Sequence, residues 1–321
     1  MRKFILKIFA FLLVIAFITC CINYAYIKCD KRDYQNIKKF KTVPSSVKVC
    51  NFGSSHGLFG FNYEDVSDVN CFNFALSSQV LTYDRRIFDE YKDNIAEGAV
   101  VFITISYFSF CIDDELNHSD FEQKNKRYYS ILPPKLIKEY DFKTDIYAHY
   151  FPSLSAGVDL IKTFEGKFGT INEEWSKKAT NIDLDSDAEL VSRRHLAHYE
   201  KDESGNRINN QAEVDAVKYL INACREKGCT PVLITTPFTR EYKDLMLEKD
   251  PDFVSDFYKQ VDELVETTGV LYFDYSSDER FTNNYELFMN SDHLNKEGAR
   301  VFVDILMREV VHYGSDESLI N

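Results

Sequence analysis

Residues 100–105 read VVFITI. An unbroken apolar, β-branched run of this kind suits a strand buried on both faces, as in a parallel sheet with helices above and below it. Working outward, the run extends over Ala99 to Phe108, and four further apolar, β-rich stretches surround it: Val47 to Phe52, Val69 to Leu76, Pro231 to Thr236 and Val270 to Asp274. Helical spacing falls between them. Ser77 to Tyr91 follows the second stretch, and Gln211 to Lys227 carries apolar residues at 214, 217, 220, 221 and 224 before Gly228. Ser255 to Thr267 repeats the pattern, and Asn295 to His312 closes the chain's core. Strands alternating with helices predict an α/β fold, a three-layer flavodoxin-like parallel sheet of about five strands in the order 2-1-3-4-5.

The alternation is interrupted once. Residues 113–212 hold no clear buried strand, contain the only tryptophan, Trp175, and read as a mainly helical insertion. The sequence thus divides into a core of 46–112 and 213–312, the insertion between them, and a tail of 313–321. An insertion after the third strand would overhang the carboxyl edge of the sheet.

At the amino terminus, Arg2, Lys3 and Lys7 precede an apolar run from Ile8 to Ile22. A basic start followed by one apolar stretch is a signal peptide or a signal-anchor. Phe4 to Leu6 and Tyr24 to Ile27 lengthen the run toward the roughly 20 residues of a spanning helix. Residues 1–28 are therefore expected to be an uncleaved membrane anchor, in preference to a cleaved signal or a lipoprotein signal ending at Cys20. Residues 29–45 read as a polar stalk. Basic residues on the amino-terminal side place the remainder outside the cytoplasm.

The 321 residues are 45% hydrophobic and 28% charged, enough to bury a core. Acidic residues number 51 against 38 basic ones, a net charge of -13 that repels phosphate backbones, so no nucleic-acid partner is expected. The mean hydropathy is negative, which excludes a polytopic membrane protein. Eight cysteines show no zinc-ligand spacing, so no metal is expected and buried thiols are the plain reading. A Cys224–Cys229 disulfide is left open. No phosphate-binding glycine motif is present, and no cofactor is expected.

In an open parallel sheet, ligands bind outside the carboxyl ends of the strands. Those ends carry Gly53-Ser54-Ser55-His56-Gly57, Asn73-Phe74-Ala75, Ser106-Tyr107-Phe108-Ser109, Thr236-Pro237 with Arg240, and Asp274 with Asn290-Ser291-Asp292-His293. Ser55 sits on a glycine-assisted turn from strand into helix, which exposes its hydroxyl. A serine hydroxyl needs a base to become a nucleophile, and His293, just before the last helix, is placed to be that base. The ordinary alternative is that the serines cap a helix and His293 is a pre-helix polar residue. Arg193, Arg194, His195 and His198 form a basic knot inside the insertion, read as a solvated helix face in preference to a clamp on an anionic polymer. His56 reads as a cleft-wall residue.

Two blocks carry a resemblance. Val49-Cys50-Asn51-Phe52-Gly53-Ser54-Ser55 and Ser291-Asp292-His293-Leu294-Asn295 with Gly298 resemble the SGNH (GDSL-type) hydrolase and acyltransferase superfamily, in its membrane-anchored cell-envelope branch. The resemblance covers 47–111 and 213–312. It implies Ser55 as nucleophile and His293 as base. It also implies three oxyanion donors: the Ser55 amide, an amide after the second strand and an Asn after the third. Here Ala75 stands at the second position, and Ser106, Tyr107 or Ser109 must serve for the third. The superfamily's acid lies three residues before the histidine, where this chain has Asn290; Asp292 and Asp274 are the substitutes. Adjacent side chains usually point apart, which counts against Asp292. The implied chemistry is hydrolysis or transfer of an acyl ester, by double displacement, on an acylated envelope or secreted polysaccharide. A membrane acyl-donor protein is a further expected partner. The departures from pattern favour a rival, a catalytically weakened binding or assembly protein.

Overall fold

The computed structural model describes residues 2–28, 37–111, 125–156, 160–161, 164–165, 171–197, 200–203, 205 and 208–311. The expected tail, residues 29–36 of the stalk and His198 lie outside the described residues.

The chain forms two compact units. One comprises Met1–Lys41 with His118–Ile171, the other Thr42–Asn117 with Asn172–Asn321. This corrects the boundary expected for the insertion. Its second half, from Asn172 onward, belongs to the α/β unit, because its helices bury apolar residues there. Trp175 illustrates the point: its indole N–H donates to the Phe59 carbonyl at 3.2 Å.

The α/β unit is built on five parallel strands: β1 (Val47–Phe52), β2 (Cys71–Asn73), β3 (Ile95–Thr104), β4 (Thr230–Thr235) and β5 (Leu271–Asp274). Their order is β2-β1-β3-β4-β5, as expected. Cys50 pairs with Val101, Ile103 with Leu233, and Leu233 with Tyr272. The second strand is far shorter than the apolar stretch Val69 to Leu76, since it is an edge strand with a partner on one side only.

The named helices follow in chain order: α1 (Arg2–Lys28), α2 (Ser55–Gly60), α3 (Leu81–Tyr91), α4 (Phe142–Tyr150), α5 (Leu184–Leu196), α6 (Gln211–Glu226), α7 (Arg240–Lys249), α8 (Pro251–Thr268) and α9 (Lys296–Leu306). Five of these starts share a chemical cause. The side chains of Asp183, Asn210, Thr239, Asp250 and Asn295 accept the otherwise unpaired first amides of α5, α6, α7, α8 and α9. One sheet face carries Val49, Phe102, Val232 and Ile234, and α9 buries Phe302, Val303 and Leu306 in the same cluster. The helices α3 and α6 pair with each other: Glu213 accepts from the Thr82 amide and hydroxyl, and Tyr219 donates to Asp89 at 2.6 Å.

The other unit contains α1 and α4. α1 is long and apolar enough to cross a membrane or to act as a signal sequence. Its one buried residue, Asn23, donates to the Tyr150 carbonyl at 2.9 Å and accepts from the Ser153 amide at 3.1 Å. Cys224 and Cys229 are both free and buried, so the disulfide that the sequence left open is not formed.

Candidate active site

The turn after β1 is dictated by Gly53. Its φ is +135°, and a Cβ there would lie 2.8 Å from the Thr104 Cβ, so only glycine fits. Its amide donates to Asp84 Oδ1 at 2.9 Å. Ser54 follows as the N-cap of α2; it is buried and its hydroxyl accepts from the His56 amide at 3.4 Å. Ser55, the first helical residue, is the more exposed of the two serines. The sequence-expected nucleophile is thus the hydroxyl not spent on capping.

His293 arrives from the loop between β5 and α9. That loop doubles back: Phe288 and Leu294 form an antiparallel bridge, and the Met289 amide donates to the His293 carbonyl at 3.0 Å. The Asp187 carboxylate of α5 accepts from the Ser291 amide at 2.9 Å, and the Thr239 hydroxyl donates to the Ser291 carbonyl at 2.7 Å. The His293 ring packs edge-on against Phe59, with centroids 5.4 Å apart. Phe59 lies one turn along α2 from Ser55, on the same helix face. His293 is therefore seated against the side of α2 that presents Ser55.

The carboxylate paired with His293 is that of Asp292, contrary to the argument from adjacency. Its Oδ1 lies 2.7 Å from His293 Nδ1, and its side chain is only 1% exposed. Burial alone would raise its pKa; charge on His293 and hydrogen bonds from His293 and His56 override this and hold it well below the ordinary carboxylate value. Asn290 has a supporting part: its Oδ1 accepts from the His293 amide at 2.9 Å and lies 3.2 Å from Nδ1. Asp274 is spent elsewhere, accepting from the Tyr258 hydroxyl at 2.7 Å and the Ser276 amide.

An ionised Asp292 fixes the tautomers. His293 Nδ1 carries the proton that faces the carboxylate, so Nε2 is left with a lone pair. That Nε2 is buried and, among the described residues, has no hydrogen-bond partner. A general base needs such a lone pair to take a proton.

Two histidines that sequence reasoning assigned elsewhere join this centre. His56 is fully buried rather than a cleft wall: its Nε2 lies 3.1 Å from Asp292 Oδ2, and its Nδ1 lies 2.5 Å from Ser106 Oγ. Burial lowers its pKa, so the neutral ring donates from Nε2 and accepts the Ser106 hydroxyl at Nδ1. His195, read as part of a solvated face, turns inward, while Arg193 and Arg194 of the same knot are exposed. Its Nδ1 lies 2.8 Å from the Tyr242 hydroxyl and its ring 4.3 Å from that of Phe108. A signal did exist: His195 continues the inward stripe of Ala188 and Val191 at helical spacing.

The expected oxyanion donors fare worse. The Ala75 amide donates to Asn73 Oδ1 at 3.0 Å. Ser106 is engaged at both ends, its hydroxyl with His56 and its amide with Ser109 Oγ at 2.9 Å. Tyr107 is a core residue, ringed by Phe238, Tyr242, Phe257 and Tyr258. Of the donors expected, the Ala75 amide and Ser106 are thus already engaged within the protein. Arg240 is exposed at the start of α7 and reaches Tyr285.

No protein-family model matches the chain, and no curated protein matches it. Solved structures do. A candidate acylhydrolase from Bacteroides fragilis is similar over 87% of this chain and 96% of its own, at 9% identity and a TM-score of 0.40. A catalytic mutant of an acetylxylan esterase from Geobacillus stearothermophilus is similar over 83% of this chain and 94% of its own, at 9% identity and a TM-score of 0.36.

Proposed function

We propose that the chain is a serine-dependent ester hydrolase or O-acyltransferase. The observation that carries this reading is the unpartnered Nε2 of His293, backed at Nδ1 by a buried Asp292 and seated against the helix face that presents Ser55. In the first step Ser55 Oγ attacks an ester carbonyl while His293 Nε2 takes its proton; the Asp292 carboxylate steadies the imidazolium. The tetrahedral oxyanion finds the Ser55 amide. His293 then returns the proton to the leaving alcohol, and an acyl-serine remains. Water as second nucleophile makes the chain an esterase; a sugar hydroxyl makes it a transferase. By resemblance, the substrate is an acylated cell-envelope or secreted polysaccharide. α1 would hold the chain on the membrane with its α/β unit outside the cytoplasm, within reach of a membrane acyl-donor protein.

The test is hydrolysis of an aryl acetate and labelling by a fluorophosphonate. Ser55→Ala should abolish both with the melting temperature kept, and Ser54→Ala should do much less. One observation favours the rival, a binding or assembly protein: the Ala75 amide and the Ser106 side chain are already engaged, which leaves the oxyanion few donors. Silence of the parent protein toward the probe would decide for that rival.

A further inference from the structure

The unit that contains α1 and α4 carries an apolar stripe on its surface. Phe142, Ile146 and Tyr150 recur every four residues along α4 and are all exposed, Phe142 and Tyr150 at 68% each. At about 100° per residue, the three lie within roughly 80° of one another on the helix surface. Leu154, in the turn Pro152–Ser155 that follows, is exposed as well. Polar groups border the stripe. Lys143 lies on one side, and on the other Asp145 pairs with His149 at 3.0 Å. Large apolar side chains grouped on one exposed face mark a contact surface.

Depth, composition and charge all point to a bilayer as its cover. Asn23 stands just past the apolar run of α1. Its side chain donates to the Tyr150 carbonyl at 2.9 Å and accepts from the Ser153 amide at 3.1 Å. A helix end leaves such backbone groups unpaired, and in lipid each must find a partner within the protein. The C-terminal end of α4 is thus fastened at the level where α1 leaves its apolar run, and Pro152–Ser155 packs against α1 there. From Phe4 to Ile22 there are 19 residues, a rise of about 28 Å, close to the roughly 30 Å of a hydrocarbon core. Two exposed tyrosines meet at this level, Tyr24 of α1 and Tyr150 of α4, as in the aromatic belts of membrane surfaces. Residues 125–155 hold five Lys or Arg against three Asp or Glu, in a chain of net charge -13. This segment is therefore one that an anionic leaflet attracts while the chain as a whole is repelled.

We propose, on the reading of α1 as a membrane span, that the α4 stripe and Leu154 lie in the headgroup–acyl boundary of the same bilayer as a second, shallower contact. Interfacial helices sink an apolar face about 5–10 Å into that boundary. Phe142 and Ile146 suit its apolar side, and the Tyr150 ring, with its hydroxyl, suits the wet rim. A lone spanning helix leaves its unit free to tilt and to spin about the helix axis. A second contact fixes both. The stripe is too small to replace α1, so it sets the posture of the unit and does not hold the chain by itself.

The experiment uses the full chain in vesicles of phosphatidylcholine and phosphatidylglycerol. Trp175 is the only tryptophan, so the parent gives the background emission. Phe142→Trp and Tyr150→Trp should each add blue-shifted emission, most of which is quenched by lipid brominated high on its acyl chain. Tyr147→Trp, off the stripe on the same helix, should add emission that this lipid leaves largely intact. The stripe positions are exposed, so both variants should melt like the parent. Added emission that brominated lipid leaves intact in both stripe variants overturns the proposal. If that emission is also shielded from aqueous iodide, a second copy of the chain covers the stripe instead. Retention of the parent on vesicles through an alkaline wash reports on α1 separately. Loss in that wash sinks the membrane-span reading and the stripe contact with it, whereas retention without quenching sinks the stripe contact alone.

Discussion

Asp292 and His293 are neighbours, and in extended chain their side chains would face opposite ways. They meet because residues 288–294 fold back on themselves, closed by the Met289–His293 backbone bond and the Phe288–Leu294 bridge. A turn of that kind is invisible to pattern reading, which looks for the acid three residues upstream. Two substitutions separate the residues. Asp292→Asn should lower kcat by several orders of magnitude with little change in KM; in a serine protease triad the equivalent change costs about 10⁴ through the wrong tautomer. Asn290→Asp should be neutral or harmful, since it sets a second anion beside a carboxylate already in place. Steady-state hydrolysis by both variants checks this, and a rise in kcat for Asn290→Asp would return the acid's role to position 290. Ser55 and His293, the proposed nucleophile and base, are readable in the sequence because each sits where strand meets helix in a recognisable block. His56 was hidden behind its neighbour's role, and His195 came from a helix with no motif.

Among elements, the turn from β1 into α2 is braced from beneath by Asp84 of α3. That carboxyl is fully buried, accepts from the Gly53 amide and from Gln79, and burial pushes its pKa up from 3.8 to about 7. Between about pH 4 and pH 7 the folded chain thus keeps a proton that the unfolded chain has lost. Stability should fall as pH rises through that window, by up to roughly 4 kcal/mol, and level off above it. Asp84→Asn keeps the acceptor oxygen and removes the titration, so its melting temperature should lose that slope; an unchanged slope would acquit Asp84. The start of α9 makes a steric counterpart. A Cβ on Gly298 would lie 2.0 Å from the Leu287 carbonyl oxygen, so Gly298→Ala must displace the loop that carries His293. We expect about 1–3 kcal/mol of destabilisation, read as a fall of several degrees in melting temperature, and a larger proportional loss of hydrolysis. Strand order and helix alternation were legible because β3 is buried on both faces and its neighbours repeat the period. The edge strand β2 was overread, since apolar residues flanking an edge need not pair.

On the scale of the whole molecule, the chain interrupts its own sheet. The segment between β3 and α6 supplies most of a second unit that also contains α1, then returns to deliver α5 to the α/β unit. Composition marked the insertion but gave no hint of where it splits, because burial depends on partners far away in sequence. Asn23 gives α1 a polar anchor point. If α1 spans the membrane, the full chain should sediment with membranes and resist extraction at high salt. A chain begun after Lys28 should appear in the soluble fraction. Protease added to wall-stripped cells should degrade the α/β unit, and full protection would reverse the proposed orientation.

The active centre joins two ends of a long message. His56 and Asp292 are 236 positions apart, and β1 cannot meet the loop before α9 until nearly all of the chain has been made. At roughly 5–20 residues per second, that wait is on the order of 10 to 50 seconds. Through all that time the serine turn exists without His293. Under the proposed function, a chain exported during synthesis would therefore stay inert along its route, and its first turnover would wait for the last helix.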